Sequence, residues 1–372
     1  MKAVICGGGT GGHIYPALSI ADYLRARGAD ILYMGCASSA ESRLAAANGF
    51  AFRAVEAAGL RRRSPLILKD LARNYRGFRQ AGRIIAEFAP DLVIGTGGYG
   101  EAPVVKAAQQ LKIPTLLHEQ NAFPGLANRY LAQKAQAICL TFAEAGAALP
   151  HPERQHVTGL PIRQSILTVT RAEARGFFHL PEQDQAPCLL ITGGSAGAAS
   201  LNRAAEAAWP KLLEAGYRII HLCGRENHFQ LRQRAPQDER LILLPYLDEM
   251  AYALALADLA VARAGAGFLA EAAARGLPLV LVPYPYAAND HQRYNAQAFA
   301  AKGAGVVIDD QALNGPLLAE TVLSLLRDRE GLSRMSEQAQ TLAMPDALAR
   351  IGRVIDGLLA GQHGQVGDVE EP

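Results

Sequence analysis

The chain has 372 residues, of which 50% are hydrophobic and 19% are charged, and its net charge is +2 at pH 7. This composition excludes a disordered chain, and the near-neutral charge gives no reason to expect a nucleic-acid partner. The five cysteines are widely spaced and lack a CxxC pair, which predicts buried thiols rather than disulfides or a zinc site.

The N-terminus carries Lys2 and a four-residue apolar run before glycine, which is unlike a signal peptide. The longest apolar stretch, 251–274, is interrupted by charged residues and glycines, so no transmembrane helix is expected. Any membrane contact should therefore be peripheral.

Short apolar runs alternate with alanine-rich helical stretches along the whole chain. This rhythm is typical of an α/β protein whose parallel sheets are covered by helices. The first helix is expected at 16–27, with Pro16 at its start and Gly28 just beyond its end. Strands are predicted at 3–6, 31–35, 92–95, 114–118, 137–140, 188–192, 218–223, 241–244, 259–262, 278–283 and 305–308.

The length suits two domains of about 150–200 residues each. Prolines and polar residues interrupt the pattern between 151 and 187, and a new strand–glycine–helix unit begins at Cys188. We therefore predict an N-terminal domain over 1–163, a C-terminal domain over 164–344 and a polar, flexible tail over 361–372.

Three glycine clusters each follow a predicted strand: GGGTGGH at 7–13, GTGGYG at 95–100 and GGSAGA at 193–198. A glycine-rich turn that leads into a helix offers backbone N–H groups and a partial positive charge to an anion. Three such turns predict a substrate rich in phosphate. Glycines that merely allow close packing are the alternative, which is weaker for three clusters than for one.

The first cluster also matches the GxGxxG fingerprint of dinucleotide-binding domains. Such a domain needs an acidic residue at the end of the next strand, to hold the ribose. Here the strand 31–35 is followed by cysteine, alanine and two serines, and the first acid is Glu41. An NAD cofactor is therefore disfavoured, and no cofactor is predicted.

His13 follows the first cluster, beside backbone that is predicted to bind phosphate. The unperturbed pKa of histidine, about 6.5, suits proton transfer at neutral pH. Position alone favours a catalytic role and a structural role equally.

In the second half, the run from Arg263 to Glu271 follows the strand at 259–262. Gly265 and Gly267 would let the backbone approach an anion, and Glu271, about one helical turn further on, could hold ribose hydroxyls. A solvent-facing glutamate is the alternative. The loop 283–295, rich in amides and acids, lies where an open α/β sheet binds ligands and is predicted to hold a sugar.

Residues 60–83 contain eight basic residues and one acid, Asp70, interleaved with large apolar side chains. A basic amphipathic segment of this kind can bind anionic headgroups and insert apolar groups into the interface. A solvated helix face with buried leucines is the alternative.

Seven collinear motifs resemble the MurG family of bacterial transferases. They are GGGTGGHIYPAL at 7–18, GTGGY at 95–99, HEQNAFPGLAN at 118–128, GLPIR at 159–163, GGSAGA at 193–198, the run 263–271 and DHQRYNA at 290–296. The family transfers N-acetylglucosamine from UDP-N-acetylglucosamine to undecaprenyl-pyrophosphoryl-N-acetylmuramoyl-pentapeptide, a precursor of peptidoglycan. The resemblance implies a GT-B architecture, in which two Rossmann-like domains with parallel sheets face each other across a cleft. It also implies a C-terminal helix at about 345–360 that returns to the first domain, and a peripheral position on the cytoplasmic face of the inner membrane.

The resemblance also implies the site residues. It assigns catalysis to His13 and Glu271, uracil binding to the backbone of Leu247, ribose binding to Glu271 and recognition of the sugar hydroxyls to Gln292. The acceptor diphosphate is expected at Gly9, Thr10, Gly97, Gly98 and Tyr99. The donor is expected at Thr10, Gly11, Gly12, Asn121, Arg163, Ser195, Leu247, Ala266, Gly267, Phe268, Leu269, Ala270, Glu271 and Gln292.

The chain departs from the family pattern at three places. GLPIR replaces the commoner Asn-Pro-[Val/Ile]-Arg, and RAGAGFLAE lacks the frequent serine and threonine of that loop. Glu101 follows the second glycine cluster, where a small residue is usual. A carboxylate there should repel the acceptor diphosphate, unless it points away or meets an arginine.

The expected reaction is a single displacement that inverts the anomeric centre, with His13 as the base. Helix N-termini and Arg163 would stabilise the departing UDP, so no metal ion is predicted, in keeping with the lack of a DxD pair at a predicted strand end. Three alternatives stay open: a glycosyltransferase for another lipid such as diacylglycerol, a UDP-sugar epimerase, and a non-catalytic nucleotide-sugar-binding module.

Overall fold

The structure is a computed structural model that describes residues 1–37, 39–59, 66–181 and 184–364. The chain forms two compact units, one made of Met1–Pro161 with the residues from Asp346 onwards, the other of Ile162–Pro345. The sequence places the corresponding domain boundary at 163/164, so that Arg163 lies in the second unit of the structure.

The first unit contains a parallel sheet of seven strands in the order β3-β2-β1-β4-β5-β6-β7. The strands are β1 (Lys2–Cys6), β2 (Asp30–Gly35), β3 (Ala51–Ala54), β4 (Leu92–Gly95), β5 (Thr115–Glu119), β6 (Ala137–Leu140) and β7 (Gln155–Val157). The helices between them are α1 (Gly11–Ala26), α2 (Ala40–Ala47), α3 (Ile67–Phe88), α4 (Glu101–Gln110) and α5 (Leu126–Leu131). The strands β1 to β3 are added towards one edge of the sheet and β4 to β7 towards the other. The two series meet where Cys6 of β1 pairs with Gly95 of β4, so the first two glycine loops leave the sheet side by side.

The second unit contains a parallel sheet of six strands in the order β10-β9-β8-β11-β12-β13. The strands are β8 (Cys188–Thr192), β9 (Arg218–Leu222), β10 (Leu241–Leu244), β11 (Leu259–Ala262), β12 (Leu279–Leu281) and β13 (Gly305–Val307). The helices are α6 (Gln164–Thr168), α7 (Arg171–Phe177), α8 (Ala199–Glu214), α9 (Arg225–Arg234), α10 (Met250–Leu256), α11 (Ala266–Ala274), α12 (His291–Ala301), α13 (Gly315–Arg327) and α14 (Arg329–Thr341). Thr192 pairs with Ala262, so the loops after β8 and β11 also start side by side.

All eleven predicted strands are confirmed, because the apolar runs that predict them form the buried interior of the two sheets. Two edge strands, β3 and β7, escape prediction. Their residues are mostly exposed or half-buried, so their sequences, AFRA and QHV, lack a continuous apolar run.

The helix α15 (Ala347–Gly364) packs on α1 in the first unit. Ile351 and Ile355 are buried in the same apolar cluster as residues of α1, and Arg27 forms an ion pair with Asp356 at 3.0 Å. A Cβ at Gly352 would lie 2.4 Å from the Tyr23 hydroxyl, so a glycine is needed where the two helices cross.

The first helix begins earlier than the sequence indicates. Helix α1 starts at Gly11, and Pro16 lies inside it, so the prediction that Pro16 opens the helix is wrong. The backbone carbonyl of Thr10 already accepts hydrogen bonds from the N–H groups of His13 and Ile14, at 3.1 Å each. His13 therefore lies in the first turn of the helix rather than in the loop before it.

Candidate active site

The first two glycine loops pack directly against each other. The Gly8 N–H donates to the Gly97 carbonyl at 3.2 Å, and the Thr96 hydroxyl donates to the His13 carbonyl at 2.8 Å. Gly98 has a φ of +86°, and a Cβ on it would lie 2.0 Å from the Gly8 carbonyl oxygen. A Cβ on Gly7 would lie 1.8 Å from the Thr96 hydroxyl. These glycines are therefore required by close contact between the loops, whatever they bind.

The Glu101 side chain points away from solvent. It is fully buried at the start of α4, and its Oε2 accepts the Gly97 N–H at 2.5 Å. Burial raises the pKa of the Glu101 carboxyl to about 8, against the opposing effect of the Gly97 hydrogen bond. The carboxyl therefore turns inward and meets no arginine among the described residues, and the Gly97 N–H is directed at it rather than at a ligand.

A second carboxylate, Glu41, lies beneath the first loop. It is fully buried in α2 and accepts the Cys36 N–H at 3.1 Å and the Gly9 N–H at 3.4 Å. A Cβ on Gly8 would lie 2.4 Å from its Oε1. Sequence reasoning considered Glu41 only as an acid placed too late to hold a ribose, and missed this contact.

His13 lies half-buried where the two loops meet. Its Nδ1 is 2.9 Å from the Gln120 Oε1 and 3.1 Å from the Thr96 carbonyl oxygen. A Cβ on Gly97 would lie 2.6 Å from the same ring nitrogen, so the second loop leaves room for the imidazole. His13 therefore lies close to the predicted acceptor-binding residues of both loops. These are the exposed Gly9 to Gly12 in the first loop and Gly98 and Tyr99 in the second.

The motif at 118–128 forms a polar network behind His13. The buried Glu119 carboxylate accepts hydrogen bonds from the N–H groups of Asn121 and Gly125, both at 2.9 Å, and from the Asn128 amide at 2.9 Å. The Asn121 amide also donates to Glu119, at 3.2 Å. Glu119 therefore fixes the loop that carries Asn121, a predicted donor-binding residue.

In the second unit, Arg163 connects two predicted donor-binding segments. Its guanidinium donates to the Asp248 carbonyl at 3.0 Å, next to Leu247, and lies 3.6 Å from the Glu271 carboxylate. Burial raises the pKa of Glu271, and the positive charge of Arg163 partly opposes this rise. Leu247, Arg163 and Glu271 are thus brought together.

The start of α11 is open on its outer side. A Cβ at Gly265 or Gly267 would meet no heavy atom within 4 Å, and neither glycine has a positive φ. Neither conformation nor packing within the described part of the chain therefore requires glycine at these positions. The side chains of Ala266 and Leu269 are buried, so at these two positions α11 turns its side chains inward and its first turn offers backbone.

The remaining predicted donor-binding residues of the second unit lie in the loop after β8 and in helices α11 and α12. Ser195 is exposed in the loop after β8, and Phe268 and Ala270 are half-buried in α11. The Gln292 Oε1 accepts the Tyr284 N–H at 3.0 Å, which holds this side chain against the loop after β12. Arg263 is nearly buried and is tied to Asp310 by an ion pair at 2.6 Å, which stiffens the loop before α11.

Comparison with known proteins identifies the family. The chain matches the "Glycosyltransferase family 28 N-terminal domain" over residues 3–140 and the "Glycosyltransferase family 28 C-terminal domain" over residues 188–351. It is similar to the UDP-N-acetylglucosamine–N-acetylmuramyl-(pentapeptide) pyrophosphoryl-undecaprenol N-acetylglucosamine transferases of Halothermothrix orenii and Moorella thermoacetica. The first is 40% identical, with 97% of this chain and 100% of that protein covered, and the second is 43% identical, with 95% and 98% covered. The chain belongs to this transferase family.

A solved member of the transferase family has the same fold. The crystal structure of Acinetobacter baumannii MurG matches with a TM-score of 0.79 and 28% identity, over 96% of this chain and 99% of that one. With its two parallel sheets and its pair of family 28 domains, the chain has the GT-B glycosyltransferase architecture predicted from the sequence.

Proposed function

We propose that this protein transfers N-acetylglucosamine from UDP-N-acetylglucosamine to undecaprenyl-pyrophosphoryl-N-acetylmuramoyl-pentapeptide, with inversion at the anomeric carbon. Similarity over almost the whole chain to transferases named for this reaction carries the proposal. His13, in the first turn of α1, and Glu271, in the second turn of α11, supply the chemistry that the reaction needs.

The donor half of the site is assigned to the second unit. The Glu271 carboxylate accepts hydrogen bonds from the ribose hydroxyls, and the backbone beside Leu247 meets the uracil. The first turn of α11 and Ser195 receive the diphosphate, while Gln292 contacts the sugar. The open space outside Gly265 and Gly267 supports this assignment, because an anion can approach the backbone there.

The acceptor half is assigned to the first unit. The acceptor diphosphate is faced by Gly9 to Gly12, which form the end of the first loop and the first residues of α1. Gly98 and the exposed Tyr99 of the second loop face it as well. Donor binding also involves Thr10, Gly11, Gly12 and Asn121. Gly97 acts indirectly, because its N–H is bound to Glu101 while its lack of a side chain makes room for His13.

The reaction is one displacement at the anomeric carbon. The acceptor hydroxyl gives its proton to the Nε2 of His13 as its oxygen attacks, and UDP departs. Arg163 and the start of α11 stabilise the negative charge on the departing diphosphate. Independence from metal ions stays a prediction.

The test is incubation with UDP-N-acetylglucosamine and the prenyl-linked muramoyl-pentapeptide pyrophosphate, with UDP release as the readout. We expect release that depends on the acceptor. Diacylglycerol in place of the acceptor is the control for another lipid substrate. UDP release with diacylglycerol but not with the prenyl-linked acceptor would contradict the proposal. Release without any acceptor would indicate an epimerase or hydrolase instead.

We also propose that α3 binds the anionic cytoplasmic surface of the inner membrane, which makes the protein peripheral. Leu68, Leu71 and Tyr75 are exposed at helical spacing along one side of α3. Five exposed basic residues also lie on α3, namely Lys69, Arg73, Arg76, Arg79 and Arg83. The three arginines at 61–63 lie outside the described residues. No helix in the described part of the chain is long and apolar enough to cross a bilayer.

Vesicle co-sedimentation tests this surface. We expect binding to phosphatidylglycerol vesicles that weakens with added salt, and little binding to phosphatidylcholine vesicles. Replacing both Leu68 and Tyr75 by serine should reduce binding. Phe229→Ser is the matched control, since Phe229 is as exposed as Leu68 (72% against 74%) but lies on α9 in the second unit. Equal binding to both kinds of vesicle, or no effect of the double variant, would refute the assignment.

A further inference from the structure

Two polar side chains, His118 and Gln120, link the Gly159 carbonyl to His13. The His118 Nε2 lies 2.9 Å from the Gly159 carbonyl oxygen, and the His118 Nδ1 lies 2.9 Å from the Gln120 Nε2. The Gln120 Oε1 lies 2.9 Å from the His13 Nδ1. His118 and Gln120 are buried, whereas His13 is half-buried at the outer end of the series.

The hydrogen positions on His118 follow from its partners. A carbonyl oxygen can only accept, so the His118 Nε2 carries a hydrogen and donates it to Gly159. Burial lowers the pKa of His118, which keeps the ring neutral. The Nδ1 of a neutral ring that is protonated at Nε2 has no hydrogen, so it accepts from Gln120.

The orientation of the Gln120 amide is fixed in the same way. Its nitrogen lies 2.8 Å from the Thr96 carbonyl oxygen and 2.9 Å from the His118 carbonyl oxygen, in addition to the His118 Nδ1. All three are acceptors, so this end of the amide must be the NH₂ group. The other end, Oε1, is an acceptor and faces His13.

The Nδ1 of His13 therefore faces two acceptors, the Gln120 Oε1 and the Thr96 carbonyl. It carries a hydrogen, and in a neutral imidazole this leaves Nε2 unprotonated. Nε2 makes no hydrogen bond to any residue that the structure describes.

We propose that Gln120 is a positioning residue, which fixes His13 in the tautomer whose Nε2 can accept the proton of the acceptor hydroxyl. Gln120 takes its own orientation from His118 and, through it, from the Gly159 carbonyl. The inference rests on the proposed function of His13 as the base. It adds the reason why a histidine and a glutamine stand at 118 and 120, two residues apart on one strand end.

The test is nitrogen NMR of the full-length protein labelled with ¹⁵N-histidine, at a pH where His13 is neutral. The signal of His13 is assigned by its loss in His13→Asn. We expect the His13 Nδ1 to show the shift of a protonated ring nitrogen and Nε2 that of an unprotonated one. The opposite pattern in the wild-type protein would overturn the proposal, even if variants of Gln120 failed to fold.

Gln120→Met keeps the approximate size of the side chain and removes both ends of the amide. The variant should increase the Nε2-protonated tautomer of His13 and lower kcat roughly fivefold to tenfold, since the Thr96 carbonyl still holds Nδ1. The matched control is Gln136→Met, because the Gln136 Oε1 accepts the Thr115 N–H in the same sheet without touching a histidine. It should leave the His13 signals unchanged.

The positioning role of Gln120 and the role of His13 as the base are contradicted by different results. An unchanged tautomer in Gln120→Met would overturn the role of Gln120, whatever the activity. If the tautomer is as proposed but His13→Ala keeps full activity, then the positioning is correct and the assignment of His13 as the base is wrong.

Discussion

Glycines serve opposite purposes at two places in the molecule, the paired loops of the first unit and the start of α11 in the second. In the first unit, Gly7 and Gly98 have neighbours so close that a Cβ would lie 1.8 Å and 2.0 Å from them. In the second unit, Gly265 and Gly267 have no neighbour within 4 Å of such a Cβ. The same residue type thus marks a closed contact between two loops in one place and an open approach for a ligand in the other.

The buried carboxyl groups of the first unit add to this contrast. Glu41 and Glu101 accept the N–H groups of Gly9 and Gly97, so part of the backbone that a glycine loop would offer to an anion is used internally. The carboxylate of the second unit, Glu271, instead meets a partly exposed arginine. The first unit therefore holds a side chain, His13, between its two loops, whereas the second leaves space at the start of α11 for the nucleotide that we propose it binds.

The largest expected effect is on that side chain. His13→Ala should lower kcat about 10²- to 10⁴-fold, because it removes the group that we propose accepts the proton. UDP affinity, measured by calorimetry, and the melting temperature should change little. A loss of less than about tenfold in kcat would make His13 a binding residue rather than the base.

Gly98→Ala should destabilise the fold by about 3 kcal/mol or more, because it combines a φ of +86° with a clash against the Gly8 carbonyl. The matched variant is Gly267→Ala, which should leave the melting temperature within about 2 °C of wild type and weaken UDP binding severalfold. Calorimetry of both variants checks the comparison. Equal destabilisation by the two would show that the second site is closed as well.

Glu101→Gln tests the close contact between the two glycine loops of the first unit through the pH dependence of stability. Since burial raises the pKa of Glu101 from an ordinary value of 4.5 to about 8, the native state holds a proton that the unfolded chain has lost. Wild-type stability should therefore fall as pH rises from about 5 to 8, by on the order of a few kcal/mol, and then level off.

The glutamine variant stays neutral and keeps an acceptor for the Gly97 N–H, so this pH dependence should be absent from it. Its melting temperature should exceed that of wild type at pH 8.5 and match it at pH 5. Glu87→Gln is the control, since Glu87 is exposed and pairs with Arg53 on the surface. A parallel pH dependence in wild type and Glu101→Gln would contradict the buried, neutral carboxyl.

The interior of the fold could be predicted from the sequence, and much of the polar network could not. Apolar runs such as 188–192 specify buried strands, whereas β3 and β7 lie at sheet edges and need no such run. Gly267 and Glu271 are local to one helix, so the sequence alone could predict a candidate site there, with a solvent-facing glutamate as the alternative. Gln120 and His13 are 107 residues apart and meet only because β4 alone separates β1 from β5 in the sheet.

The smallest expected effect comes from replacing Glu271, in the helix whose start is open to a ligand. Glu271→Gln should weaken UDP binding about tenfold, since a neutral amide accepts hydrogen bonds from the ribose hydroxyls less strongly than a carboxylate. Because burial raises the pKa of Glu271, wild-type affinity should decline on acidification at a higher pH than an exposed carboxylate would allow. The glutamine variant should lack this decline. Uridine without the diphosphate should lose the same factor, because the contact is with the ribose, and an effect confined to UDP would instead place Glu271 near the phosphates.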